Sequence, residues 1–145
     1  MNIDQAVAEM IFDSIKSAKN ILIISHRNPD ADTIGSNLAL REIAIRLGKS
    51  ATSACIDLMP KNSLFLPASK RYVQDFDPQA FDLFMAVDAG SKKQTGFIEK
   101  YPSIRETNFI NIDHHPSNEH YGTLNLVIND AASTTLVVYN LLNIW

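Results

Sequence analysis

Three short segments of this chain concentrate acids and histidines. The first is Ser25-His26-Arg27-Asn28-Pro29-Asp30-Ala31-Asp32-Thr33-Ile34-Gly35-Ser36, the second Asp88-Ala89-Gly90 and the third Asp113-His114-His115-Pro116. Three of the four histidines fall in them. Imidazole and carboxylate together suit manganese, iron, zinc or cobalt, and the carboxylate majority leans toward manganese or magnesium. Asp30 and Asp32 stand two apart in a turn, so one can serve each of two ions, and Asp88 could bridge them. A metal pair ~3.5–4 Å apart clamps the attacking and leaving oxygens of a phosphoryl transfer and lowers the pKa of bound water. Gly35-Ser36 would lie in the first turn of the helix that follows, where free N–H groups and the helix dipole favour phosphate. No Gly-Lys-Ser/Thr follows, so this is not a Walker loop.

Plainer readings compete at each segment. Asp30 and Asp32 suit turn and N-cap positions, and Asp88-Ala89-Gly90 suits an ordinary strand end. The Asp113-His114-His115 tripeptide has no comparable helical or packing purpose, though spacing alone does not separate His114 from His115. The joint occurrence of the three segments favours a metal centre. His120, in a polar loop, and Asp57, with no histidine nearby, are assigned no ligand role.

The elements that must position these residues follow from periodicity. Val7, Met10, Ile11, Ile15 and Ala18 give residues 4–18 one apolar helical face, with Asp4 as N-cap. Ile21-Leu22-Ile23-Ile24, Leu83-Phe84-Met85-Ala86-Val87 and Phe109-Ile110-Asn111-Ile112 are apolar runs of strand length, buried on both faces. Helices are predicted over 33–47, 94–101 and 132–142, with Gly48 ending the first. Further strands are predicted over 50–56 and, near an edge, 123–128. Residues 60–80 carry Pro60, Pro67 and Pro78 and read as short pieces and loops. Strands alternating with helices imply an α/β domain with a mostly parallel central sheet flanked by helices. All three acidic and histidine-rich segments then lie at the C-terminal ends of strands, the edge where such sheets bind ligands.

Composition sets limits. With 46% hydrophobic and 20% charged residues over 145 positions, the chain suits one soluble domain with a real core. A net charge of −3 provides no broad surface for duplex DNA. No apolar run approaches ~18 residues, so no membrane span is expected. The single cysteine, Cys55, reads as a buried free thiol and favours a reducing, cytoplasmic setting.

The quoted segments also resemble, in combination, the first three signature motifs of the DHH phosphoesterase family. Its members include RecJ-like exonucleases, nanoRNases that degrade short oligoribonucleotides, phosphatases of adenosine bisphosphate, cyclic-dinucleotide phosphodiesterases and exopolyphosphatases. Asn129-Asp130-Ala131-Ala132-Ser133-Thr134-Thr135 resembles the segment that follows in the nanoRNase-like branch. The resemblance implies two divalent ions, manganese first, with magnesium or cobalt as alternatives. One would be held by His26, Asp30 and Asp88, the other by Asp32, Asp88 and His114. It further implies that His115 contacts the scissile phosphate and helps the leaving group, while Asp113 supports the histidines.

The implied function is hydrolysis of phosphodiester or phosphomonoester bonds in short oligonucleotides or small nucleotides, with polyphosphate as a further substrate. Water would be the nucleophile, and a homodimer is allowed. The first motif commonly has Gly where this chain has Ala31. The family's fourth motif supplies another aspartate, yet only Asp130 follows His115 among the aspartates. The five glycines, Gly35, Gly48, Gly90, Gly96 and Gly122, form no glycine-rich substrate loop. The chain is therefore expected to be a fragment ending before the fourth motif and a C-terminal substrate-binding domain, weakly active by itself. The rival reading is a partial domain that binds nucleotide or metal without turnover.

Overall fold

The apolar runs and amphipathic segments assemble into a five-stranded sheet with helices on both faces. A computed structural model describes residues 2–106 and 108–145. In chain order it contains α1 (Gln5–Ser17), β1 (Asn20–Ser25), α2 (Ala31–Arg46), β2 (Ser50–Ala54), β3 (Leu83–Val87), α3 (Lys92–Thr95), α4 (Phe97–Lys100), β4 (Phe109–Asp113), β5 (Leu124–Val127) and α5 (Thr134–Ile144). Residues 60–80 hold three short 3-10 turns, at Lys61–Ser63, Ser69–Arg71 and Pro78–Ala80, as their prolines suggest.

The strand order is β2-β1-β3-β4-β5, and all four pairings are parallel. The chain runs outward from β1 to β2, then crosses back to β3 on the other side of β1. That reversal opens a crevice between the C-terminal ends of β1 and β3, the usual ligand position in doubly wound sheets.

Successive strand residues point to opposite faces. Ile21, Ile23, Leu83, Met85, Val87, Ile110 and Ile112 pack under α1, α2 and α5 through residues such as Ile11, Leu40 and Val137. Leu22, Ile24, Phe84, Ala86 and Phe109 form the other face with Phe97, Ile98 and Ile104. Burial on both faces explains why the three central strands read as continuous apolar runs rather than alternating ones. At the edge, β5 buries only Leu126.

Several boundaries differ from expectation, each for a local reason. The second helix begins at Ala31 rather than 33 because the Asp30 carboxylate accepts the N–H groups of Asp32 and Thr33. The second strand stops at Ala54, and the Cys55 N–H turns to the Val73 carbonyl. The helix expected over 94–101 is two short ones broken at Gly96, whose φ is +70°. A Cβ there would lie 2.8 Å from Ile56 and 3.0 Å from the Arg27 side chain, so both conformation and space demand glycine. The last helix starts at Thr134 because Ser133 caps it. At its far end the Trp145 indole N–H donates to the Ala8 carbonyl (2.9 Å) and its ring stacks on Phe12, tying α5 to α1. Among the described residues no helix is long and apolar enough to cross a membrane.

Candidate metal centre

The three segments meet at the C-terminal edge of the sheet, around Asp88. This residue directly follows β3 with a φ of 58°, a left-handed conformation that strains a side-chain-bearing residue. Its N–H is held by the Ile112 carbonyl, and the carboxylate lies buried between neighbours on both sides. Asp88 Oδ2 is 3.5 Å from His26 Nε2, while Oδ1 is 3.6 Å from His114 Nε2 and 3.8 Å from His115 Nδ1. Each carboxylate oxygen thus faces a different histidine group.

On one side, His26 Nε2 also stands 3.8 Å from Asp30 Oδ1. His26 Nδ1 lies 2.6 Å from the Arg27 carbonyl oxygen. A carbonyl only accepts, so Nδ1 donates its hydrogen there and Nε2 is the ring atom turned toward the carboxylates. His114 repeats the arrangement. Its Nδ1 donates to the Ala131 carbonyl (3.1 Å), and its Nε2 faces Asp88 and, at 3.8 Å, Asp32 Oδ2. Backbone carbonyls therefore fix both rings through Nδ1 and leave Nε2 as the atom each would offer a metal.

His115 is fixed differently. Its Nδ1 donates to Asp113 Oδ1 at 2.8 Å, and the ring is nearly half exposed. Asp113 is fully buried and also accepts the His114 N–H through Oδ1 and the Asn118 amide through Oδ2, at 2.8 and 2.6 Å. Asn118 in turn donates to Asn111 Oδ1, so a buried polar network braces the Asp113–His115 pair.

The two central aspartates are tuned in opposite directions. Burial, aided by the charge of Asp32, raises the Asp88 pKa despite hydrogen bonds from His26 and Thr134. Burial also disfavours charge on Asp32, but the Thr135 hydroxyl and the Thr135 and Thr134 N–H groups outweigh it, and the pKa falls. Asp32 accepts the Thr134 and Thr135 N–H groups at 2.8 Å each and the Thr135 hydroxyl at 2.6 Å, so it lies at the positive end of α5. The Thr134 hydroxyl donates to Asp88 Oδ1 at 2.8 Å. Burial would lower the His26 pKa, but the Asp88 hydrogen bond and the Arg27 carbonyl raise it overall. For His115 burial is likewise outweighed by Asp113.

Two groups of donors converge within 4.8 Å: His26, Asp30 and Asp88, and Asp88, His114 and His115. Ligand atoms about 2.0–2.2 Å from a common ion would stand roughly 3–4 Å apart, so these spacings fit divalent cations. Asp32 flanks the second group, with both oxygens engaged by α5. Asp130 belongs to neither group.

Gly35 and Ser36, expected at a phosphate, have other work. The Ser36 hydroxyl is buried and donates to the Asp32 and Thr33 carbonyls of its own helix. Gly35 lies against Thr135, 3.2 Å from where a Cβ would stand, and so lets α5 approach α2. The Asp30 carboxylate meanwhile accepts the first free N–H groups of this helix, those of Asp32 and Thr33.

Four contributors carried no role in the sequence reading. Thr134 and Thr135 lie in a segment whose resemblance was visible but whose purpose was not. Asn118 had no signal at all. Asp57 accepts the Asn28 N–H at 2.8 Å, across the sheet edge, and shapes the loop that carries His26 and Asp30. Cys55 is buried, with its pKa pushed up to about 11 by burial, and its Sγ–H donates to the His26 carbonyl. His120 lies outside both groups.

Comparison with known proteins places this arrangement. The chain is 29% identical over 128 residues to the probable bifunctional oligoribonuclease and PAP phosphatase NrnA of Streptococcus mutans, covering 88% of this chain and 40% of that protein. It is 32% identical over 127 residues to the bifunctional oligoribonuclease and PAP phosphatase NrnA of Thermus thermophilus, covering 86% and 36%. The chain thus spans less than half the length of these curated relatives. An exopolyphosphatase-related protein from Bacteroides fragilis shares the fold with a TM-score of 0.87 at 23% identity, over 97% of this chain and 44% of that one. RecJ from Thermus thermophilus, solved with Mn2+, shares it with a TM-score of 0.59 at 18% identity, over 98% and 20%. Residues 20–144 match the family described as DHH family, N-terminal domain, and the chain belongs to that family.

Proposed function

We propose that this chain is the metal-binding domain of a phosphoesterase that hydrolyses short oligonucleotides or small nucleotides. One observation carries the reading: His26 and His114 each spend Nδ1–H on a backbone carbonyl and turn Nε2 toward the shared carboxylate of Asp88. Two imidazoles anchored through Nδ1 and aimed through Nε2 at one buried carboxylate make a donor set that a divalent cation would complete. The two curated relatives are named as oligoribonucleases and PAP phosphatases, which supports a nucleotide substrate.

His26, Asp30 and Asp88 would hold one divalent ion, and His114, Asp88 and Asp32 would hold a second. The carboxylate-rich set favours manganese, with magnesium or cobalt as alternatives. Bound there, such ions polarise the phosphate and lower the pKa of water. The protein supplies placement and proton handling. Asp113 holds His115 through Nδ1, leaving Nε2 directed away from the network, where it would give a proton to the departing oxygen. Thr134 and Thr135 orient the carboxylates of Asp88 and Asp32.

The relatives are more than twice as long as this chain. The proposal therefore includes a further stretch that carries the fourth motif and, after it, a C-terminal domain that grips the substrate, in a cytoplasmic protein. Orientation of a bound substrate can be worth ~7–11 kcal/mol of a barrier, so this chain alone should turn over weakly. The test is Mn2+ titration by calorimetry alongside hydrolysis of bis-p-nitrophenyl phosphate. Expected are two binding events and slow, Mn2+-dependent turnover that EDTA and Asp88→Asn abolish. Absence of Mn2+ binding would overturn the reading.

A further inference from the structure

We propose that the pocket beside Asp30 is a nucleobase subsite, in which Phe65 stacks on the base of a nucleotide whose phosphate lies at the metal centre. This rests on the function proposed above and extends it from phosphate chemistry to recognition of the base. Phe65 and Leu58 are the most exposed large apolar side chains among the described residues, at 82% and 78%. Both lie in the loop after β2, and neither contributes to either core.

Phe65 lines a cavity of about 300 Å³ together with Pro29, Asp30, Pro60, Asn62 and Leu66. Asp30 is shared with the metal centre, so the cavity opens directly beside the ions' ligands. The wall is braced rather than loose. The Ser63 hydroxyl donates to the Pro60 carbonyl at 2.8 Å, and the Leu66 N–H donates to the Ser63 carbonyl at 3.0 Å. Pro29 and Pro60 add stiff ring surfaces.

The chemistry of the lining selects among ligands. No lysine or arginine lines the cavity, and Asp30 would repel an anion, so it is not a second phosphate site. An aromatic ring, two prolines and a leucine suit a flat apolar face. The Asn62 amide can both donate to and accept from the polar edge of a heterocycle. A base offers both features, and every base has a π-face, so the ligand class is a nucleobase rather than one base.

The test compares adenosine 5′-monophosphate with ribose 5-phosphate, each titrated by calorimetry into the Mn2+-loaded chain. Expected is tighter binding of the nucleotide by about 5- to 100-fold, the range of one base-on-aromatic contact. Phe65→Ala should abolish that preference while leaving the affinities for ribose 5-phosphate and Mn2+ unchanged. Phe65→Trp should keep it. Equal binding of the two ligands by the wild-type chain, or a preference that survives in Phe65→Ala, would overturn the subsite alone. Failure of ribose 5-phosphate to bind with Mn2+ present would overturn the phosphoesterase reading, and the subsite with it.

Discussion

His26 and Asp30 approach Asp88 from a single loop, whereas Asp32 and His114 approach it from distant parts of the chain and depend on α5. The first half is braced locally: Asp30 caps the helix it precedes, Asp57 holds the Asn28 N–H, and the His26 ring leans on the next residue's carbonyl. In the second half, Asp32 is gripped by residues 102 and 103 positions away, and His114 is oriented by Ala131. Local bracing costs little chain entropy, while contacts across the whole chain form only when α5 docks. The first half should therefore keep its geometry when α5 is disturbed, and the second should not.

Asp88 belongs to both halves, so its loss should have the largest effect. Asp88→Asn should remove both Mn2+ binding events, weakening affinity by more than the roughly 100-fold upper range of an outer-shell change. Asparagine tolerates the left-handed backbone, which isolates the charge. The metal-free protein should respond in the opposite sense. The folded-state pKa of Asp88 is raised, so its charge subtracts stability as pH rises through the carboxylate range. The folded-state pKa of Asp32 is lowered, so its charge adds stability that is lost as pH falls through that range. In urea melts with EDTA at pH 7, Asp88→Asn should stabilise. Asp32→Asn should destabilise by about 0.5–2 kcal/mol, the scale of a lost helix cap. Matching signs for the two variants would break the contrast between them.

Metal should relieve the Asp88–Asp32 repulsion and join the halves. At a hundredfold excess over Kd, Mn2+ should stabilise the chain by about 2.7 kcal/mol. Scanning calorimetry should show Tm raised by several degrees and restored by EDTA; an unchanged Tm would count against the centre.

Thr135→Val probes the second half alone, because its hydroxyl donates to Asp32. It should weaken the second Mn2+ event by roughly 10-fold and leave the first intact, with Thr135→Ser restoring the loss. Equal weakening of both events in the titration would show that the halves are not separable. The smallest effect is expected from Asp57→Ala, which loosens the His26 loop. It should change the first event by less than about threefold, within the roughly 1 kcal/mol of one hydrogen bond, and leave the second untouched.

The sequence by itself carried the sheet, its buried strands and the edge where chemistry collects, because burial on both faces writes an uninterrupted apolar run. It also exposed His26, Asp30, Asp88 and the Asp113-His114-His115 tripeptide, since their joint occurrence at three strand exits outweighs the plainer reading of each. Spacing alone did not separate His114 from His115; the tertiary structure gives their Nδ1 atoms different partners. That distinction depends on which carbonyl or carboxylate meets each Nδ1, and Ala131 and Asp113 reach the two rings from different directions. It also showed Gly35 packed against Thr135 and the Ser36 hydroxyl bonded within its own helix. A helix N-terminus looks free in sequence until its cap is seen. Thr134, Thr135 and Asn118 were likewise decided in three dimensions. Their hydroxyls and amide act on side chains brought near by folding, and hydrogen bonds of that kind leave no period in the chain.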